Sequence, residues 1–568
     1  MGPVNSNSGI DSPSPTPGPL QLEEASTVVS AGREVSVYNQ NQSPFLCLPC
    51  ETKSMIIRCL GLREITRLAK VCRQLRDLVE NDKALERAWF RRFPSQYQYQ
   101  LKAMITRKDE QQLRDWLAPF ADEDTIESLL KERESTYFPA QLLFTNSKLM
   151  SQCKKFTLVE KTEIPHDSIR TATFSADSRR VVTASWDHKL KIYGQENDGT
   201  WEEKNTITHD GPVRSACFSS DGRHVLAAGY EGAFTIYSQA DNGSWQAKAT
   251  IPDVINVTSA TFTADGCRLV TVGRDHTVKI FAQGDNGSWE LEETICHTSP
   301  IKSARFSANE SLLAIQDTEC VVSIYGKEAS GSWVEKATIE ENPIVIVDIS
   351  ADSCHLLTID SDHEAIIFNL QADGSWKKAA TISHDDIIIS ATFSADSCHV
   401  VTTGWDLKAK IYSQRADSSW QEKACITHNN GITSATFTAD CLHVVTTSRD
   451  NTAKISSLQA DGSWQEKACI SHKKSVYSAT LSADACHVVT ASMDGTAKVF
   501  GLQTDGSWLE KAIIRHDIGV ISANFSPDDR HVVTVSFDSS ARITELSKAD
   551  DDRMCVTHLL SQAECILF

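Results

Sequence analysis

The sequence predicts a multidomain α+β protein, in which a short N-terminal helical module precedes an all-β propeller of eight or nine four-stranded blades. One period carries most of this. Trp201, Trp245, Trp289, Trp333, Trp376, Trp420, Trp464 and Trp508 are spaced by 44 residues, once by 43, and most follow Asp-Gly-Ser or Asn-Gly-Ser. Between them lie three short alternating stretches, such as 390–394, 399–403 and 409–412, bounded by Asp, Gly or Ser turns, and each tryptophan opens a fourth. Four strands in a repeat of about 40–45 residues is the pattern of a propeller blade. The second observation is the contrast upstream, where apolar residues recur at three to five residues rather than two.

Composition narrows the classes. Apolar residues at 40% and charged residues at 23% of 568 suit a globular protein, and no run of 18 apolar residues spans a bilayer. A net charge of −19 with no basic block argues against a nucleic-acid partner. The 17 cysteines lack zinc spacing and no secretory signal opens the chain, which predicts reduced thiols, no metal and no cofactor.

In chain order, residues 1–44 are rich in Pro, Ser, Asn and Gly, including the run 12–17 of alternating Ser or Thr and Pro, and are expected to be a disordered leader. Residues 45–94 read as short packed helices from Ile56, Leu60, Ile65, Leu68, Val71, Leu75 and Leu78. Residues 95–150 continue as a helical linker carrying Leu113, Trp116, Leu117, Ile126, Leu129 and Leu130. The propeller is expected over 151–545 and a tail over 546–568. Nine first strands are centred on Phe174, Phe218, Phe262, Phe306, Ile349, Phe393, Phe437, Leu481 and Phe525. Ahead of the first copy, residues 155–164 resemble the fourth strand 420–426. A spare fourth strand predicts ring closure, in which the start of the domain completes the last blade and hides its edge. Nine exceeds the common four to eight, so the pattern also allows eight blades with one unit outside the ring.

The repeats resemble the WD-repeat family. Its histidine before the first strand appears as His166, His209, His297, His384, His428, His472 and His516. Its aspartate in the turn between the second and third strands appears as Asp187, Asp275, Asp362, Asp406, Asp450, Asp494 and Asp538, with Glu231 and Glu319 in the other two copies. The resemblance implies structural His–Asp pairs inside blades. It also implies that two ring positions face the upper surface. These are the residue before the turn aspartate, here Trp186, Tyr230, Arg274, Trp405, Arg449, Met493 and Phe537 among others, and the residue four before the first-strand aromatic, here Arg170, Arg214, Lys302 and Tyr477. Exposed Trp, Tyr and Arg in shared ring positions are the residue types of binding hot spots, and the cations Arg170, Arg214, Arg274 and Lys302 point to an acidic or phosphorylated target.

The segment from Phe45 through Leu78 to Trp89 resembles an F-box, whose helices dock on the Skp adaptor of SCF ubiquitin ligases. The resemblance assigns adaptor contact to Leu48, Pro49, Glu51, Ile56, Leu60, Leu68 and Val71. Leu75 stands where that family has tryptophan. The last four residues, Cys565-Ile566-Leu567-Phe568, match a prenylation signal with Cys565 as acceptor and a membrane as partner. These motifs together resemble F-box/WD-repeat adaptors, and also the ligase-mimicking effectors that intracellular bacteria deliver into host cells.

The expected function is a cytoplasmic, non-catalytic substrate-recognition adaptor. Its F-box would engage the Skp adaptor and cullin, and its propeller would hold a target protein. The alternative is a scaffold without a ligase, anchored at a membrane by the prenylated tail. A propeller hydrolase or lyase would need a charged cluster around the channel, and the aligned positions show none.

Overall fold

The computed structural model describes residues 48–548, apart from 49, 61, 92, 94, 107, 197, 220, 230–233, 241–242, 252–256, 263–267, 274, 285–288, 308–310, 320, 329–331, 340–344, 361 and 504. The leader, most of the tail, Pro49, Tyr230, Arg274 and Cys565 therefore lie outside the described residues. Those from 54 onward belong to one compact unit, and Leu48 with 50–53 to another.

Among the described residues eight helices come first: α1 (Cys50–Cys59), α2 (Leu62–Ala69), α3 (Arg73–Asn81), α4 (Ala84–Arg91), α5 (Ser95–Thr106), α6 (Glu110–Leu117), α7 (Glu123–Leu130) and α8 (Phe138–Gln152). Local signals fix their ends. Asp109 caps α6 by accepting from the Gln112 N–H at 2.8 Å while the Gln112 side chain accepts from the Asp109 N–H at 3.1 Å, a reciprocal pair that satisfies two orphan donors.

Thirty-six strands follow, arranged as nine four-stranded antiparallel sheets. Blade 1 spans 169–208, and each of the next seven likewise runs through four consecutive strands. Blade 9 is composite: β1 (Phe156–Pro165) pairs with β36 (Ser540–Lys548), from Phe156 opposite Lys548 to Pro165 opposite Ser540. The spare strand thus completes the last blade as its position predicts, and no repeat is left outside. The ring has nine blades, not eight.

Strand sequence sets strand depth. Second strands such as His399–Gly404 are buried at every residue, third strands such as Lys408–Gln414 alternate, and fourth strands such as Trp464–Ser471 bury their tryptophan while exposing Gln, Glu and Lys. That charged, alternating edge is what keeps nine sheet edges from pairing with other chains.

The recurring tryptophan locks blade to blade. The histidine opening a second strand meets the tryptophan of the next blade edge-on: His224 with Trp289, His355 with Trp420, His399 with Trp464, His443 with Trp508 and His531 with Trp201, at centroid distances of 5.3–5.7 Å. In composite blade 9 the tryptophan's place is taken by Phe156, which faces His487 at 5.6 Å. Hydroxyls from one first strand also donate to the backbone of the next, as Thr480 Oγ1 does to the Ala523 carbonyl at 2.7 Å.

The helices of 95–152 are docked on the ring. The Trp116 indole N–H donates to the Asp528 carbonyl at 3.0 Å, and Arg530 donates to the Asp115 carbonyl at 2.6 Å. Lys511, only 2% exposed, donates to the carbonyls of Ser151 and Cys153 at the end of α8. Phe120, Leu149, Met150 and Phe156 share one apolar cluster with Val489, Val499 and Phe525 of blades 8 and 9. Asp528 and Arg530 belong to the turn between the first and second strands of blade 9, and Cys486, which accepts from Ser147 Oγ of α8 at 3.5 Å, to the same turn of blade 8, so this contact occupies one end of the ring, here called the lower face. The turns between second and third strands open on the other, upper face.

Candidate functional site

Upper-face geometry is built by a repeated polar unit. In blades 1, 6, 7, 8 and 9 the loop histidine meets the turn aspartate at 2.9–3.2 Å: His166 with Asp187, His384 with Asp406, His428 with Asp450, His472 with Asp494, and His516 with Asp538. The other ring nitrogen of each meets a buried threonine, Thr183, Thr402, Thr446, Thr490 or Thr534, at 2.7–2.9 Å. A neutral imidazole donating from Nδ1 to the carboxylate and accepting the threonine hydroxyl at Nε2 satisfies every partner. Burial drives His428 below its usual range against the opposing pull of Asp450. Burial also pushes the Asp450 carboxyl up, but hydrogen bonds from Thr452, the Asn429 N–H and His428 outweigh it and hold Asp450 at about 2. These groups repeat around a ring and do not converge, so they are structural.

Blades 3 and 5 have no histidine at this position and blade 4 has Glu319 in place of the aspartate, so the sequence supplies no His–Asp pair there. His297 is held by Ser323 at 3.2 Å, and Asp275 by Thr277 and Lys279. In blades 4 and 5 the carboxylate that caps the turn stands two residues earlier than aligned: Asp317 accepts from the Val321 N–H at 2.8 Å and Asp360 from the Glu364 N–H at 2.9 Å, so Asp362 is not the capping residue. Neither of these blades has a His–Asp pair among the described residues, and a carboxylate two residues earlier can satisfy the turn's own N–H groups.

The same frame fixes the ring residues. The backbone N–H groups of Trp186, Trp405, Arg449, Met493 and Phe537 each donate to the loop before the first strand of their own blade, at 2.9–3.0 Å, so the five occupy equivalent places. Trp405 is 62% exposed, and Trp186, Tyr477, Phe537, Arg449, Arg214 and Lys302 are also exposed, whereas Met493 is half-buried. The Arg170 guanidinium lies 3.8 Å over the Trp186 ring, so this cation is tied to a neighbouring aromatic. Two exposed cations escaped the sequence analysis, Lys473 and Lys474 in the loop entering blade 8. They precede the first strand by two and three residues, outside both ring positions.

In the helical module Val71 is 67% exposed, Met55 and Ile56 are exposed, and Leu60 and Leu68 are half-buried. Leu48 is half-buried and Glu51 lies in α1. Leu75 is buried, a core position.

Among the described residues no His/Cys/Asp/Glu group is arranged to hold a metal, and no helix is long and apolar enough to cross a membrane. A helical module joined to a closed ring of four-stranded repeats defines a repeat-propeller protein with a helical N-terminal region. The description "F-box domain" matches residues 45–87, and "WD domain, G-beta repeat" matches 159–194, 201–238, 252–281, 420–455, 464–501 and 509–544. The chain is an F-box/WD-repeat protein. Blades 4 and 5 and the first three strands of blade 6 fall outside the matched repeats, yet each of these blades has the same four strands.

Among solved structures, the C-terminal WD40 domain of Sif2 is 13% identical, with 68% of this chain and 98% of that one covered and a TM-score of 0.44. Sqt1 of Saccharomyces cerevisiae is 13% identical, with 69% and 98% covered and a TM-score of 0.43. At this level of likeness the architecture rests on the strand pairing itself. No curated protein matches the chain. An F-box implies binding to the Skp adaptor within an SCF complex, and F-box/WD40 adaptor families are typically non-catalytic.

Proposed function

We propose that the chain is the substrate-recognition adaptor of an SCF-type ubiquitin ligase, its F-box docking on the Skp adaptor and its upper propeller face holding the target protein. The observation that carries this reading is the placement of the two surfaces. Helices α6–α8 are fixed to the lower face through Trp116, Arg530 and Lys511, while the exposed Trp, Tyr, Phe and Arg side chains crowd the upper one. Met55, Ile56 and Val71 supply exposed apolar surface to the helical module of a kind that seeks a partner. The contribution is then proximity, a target held at high local concentration near the ubiquitin-loaded enzyme.

The experiment is copurification of the full chain with Skp adaptor and cullin, beside the chain carrying Leu48→Ala and Pro49→Ala. Loss of both partners in the variant, with its circular dichroism unchanged, supports the reading; equal copurification refutes it. Prenylation at Cys565, with the membrane attachment it implies, rests on the motif alone. Intact mass after expression in eukaryotic cells tests it, and an unmodified chain removes it.

A further inference from the structure

The lower face breaks its pattern between blades 1 and 2. In blades 2, 6 and 7 the second strand opens with a histidine whose ring meets a third-strand serine: His224 with Ser238, His399 with Ser413 and His443 with Ser457, at 2.6–2.7 Å. Blade 1 has Arg180 in that place, and the third-strand residue opposite it is Gly194. Blade 3 also has an arginine there, but Arg268 donates to Glu292 of its own fourth strand at 2.7 Å. The residue of blade 1 that corresponds to Glu292 is Lys204, each standing three places after its fourth-strand tryptophan. Positions that hold an ion pair in blade 3 thus hold two cations in blade 1.

Gly194 lines an open cleft of about 680 Å³, together with Arg179, Arg180, Lys204 and, across the seam, Gln239. The glycine makes room for the Lys204 stem, since a Cβ there would stand 3.0 Å from Lys204 Cγ. The carboxylate among the lining residues, Asp177, already accepts from the Ser175 hydroxyl and the Arg179 N–H. The Arg180 guanidinium is held across the seam by the Gly222 carbonyl of blade 2 at 2.6 Å. Neither Arg179 nor Arg180 forms an ion pair with a described residue, whereas Lys204 leans on Glu196 and Glu202. The cleft therefore offers two guanidinium groups to an anion.

We propose that the cleft takes the acidic run Asp550-Asp551-Asp552 of this chain's own tail. The last strand, β36, ends at Lys548 on the same face, where the Lys548 N–H donates to the Pro119 carbonyl between α6 and α7 at 3.1 Å. Blades 9 and 1 meet there: the Asp528 N–H donates to Ser178 Oγ at 3.0 Å, in the turn that leads into Arg179 and Arg180. The three aspartates, which lie outside the described residues, begin two residues beyond Lys548. Residues 549–552 reach about 13 Å when extended, and the arginine side chains shorten the span to be crossed. A separate acidic partner is repelled by a chain of net charge −19, whereas a tethered segment meets the cleft at a local concentration in about the millimolar range, where a few charge pairs suffice. Lys155 and Lys548 stand nearer the exit, but as point charges they lack the planar fork that arginine offers a carboxylate.

The test is zero-length carbodiimide cross-linking of the full-length chain at low salt, with the monomer digested and its lysine–carboxylate links read by mass spectrometry. A link from Lys204 to Asp550, Asp551 or Asp552 is expected, and high salt is expected to reduce it roughly fivefold or more, because exposed charge pairs are screened. Asp551→Arg, which lies beyond the last strand and leaves the ring intact, is expected to lower the links from Lys204 to Asp550 and Asp552 to a similar extent. Arg179→Glu is expected to do the same from the other side, and the two changes together to restore the links. Absence of the Lys204 link, links from the aspartates confined to Lys155 and Lys548, indifference to both single variants, or no recovery in the double variant overturns the proposal.

Discussion

A single imidazole in blade 7 joins three backbone segments: His428 belongs to the loop before the first strand, Thr446 to the second strand and Asp450 to the turn after it. Replacing Thr446, which is fully buried, by valine keeps the shape but leaves the His428 ring nitrogen without its partner, a cost of about 1–3 kcal/mol. The thermal midpoint of Thr446→Val should fall by a few degrees in calorimetry, and an unchanged midpoint would deny the hydroxyl its role.

Acid acts on the same units. His166, His428, His472 and His516 lie below their ordinary value near 6.5 because burial disfavours the charged ring, and burial takes His531 down to about 4. A folded state that binds fewer protons than the unfolded one is stabilised at high pH, fully above the unfolded value, and loses that stability as pH falls towards the folded value. The aspartates have the same sign lower down, with Asp450 and Asp494 at about 2 against 3.8 unfolded. The thermal midpoint is therefore expected to be level between pH 8 and 7 and to drop steadily from about 6.5 to 4. A midpoint that rises on acidification would contradict the assignment of these rings as neutral. The His–Asp spacing was readable because both partners fall inside one repeat. The lower ring of His–Trp contacts was not, because His399 and its partner Trp464 lie about a repeat and a half apart and belong to different blades.

Among the elements, β1 bears the closure. Phe156 sits where eight other blades place tryptophan, and truncating a buried aromatic costs about 3–5 kcal/mol. Phe156→Ala is expected to speed amide exchange in β1 and β36 more than in blades 3 to 6, and uniform exchange would mean the seam is no weaker than the rest. The spare strand, and with it closure, could be read from residues 155–164; that the ninth copy joins the ring needed the neighbours to be seen. The docking of α6–α8 was also hidden from the sequence. Lys511 looks like its counterparts Lys423 and Lys467 in the repeat, and only the packing of α8 over it distinguishes it. Lys511→Met removes the donor to two helix-end carbonyls, so faster exchange at the C-terminal end of α8 is expected while Skp-adaptor affinity stays the same. Unaltered exchange there would show that the lysine does not pin the helix.

For the molecule as a whole, the helices α6–α8 and the exposed upper-face aromatics Trp186, Trp405 and Phe537 occupy opposite ends of a nine-blade ring whose neighbouring blades are joined by His–Trp contacts. A bound target would be presented away from the surface on which the helical arm is seated. The direct measurement is a calorimetric titration of the full chain with purified Skp adaptor, beside Met55→Asp with Val71→Asp, two exposed apolar positions whose change leaves the core intact. The adaptor account predicts saturable one-to-one binding by the parent chain and a loss of roughly 100-fold, about 2.7 kcal/mol, in the variant. Absence of binding by the parent chain, or equal affinity in both, would contradict it.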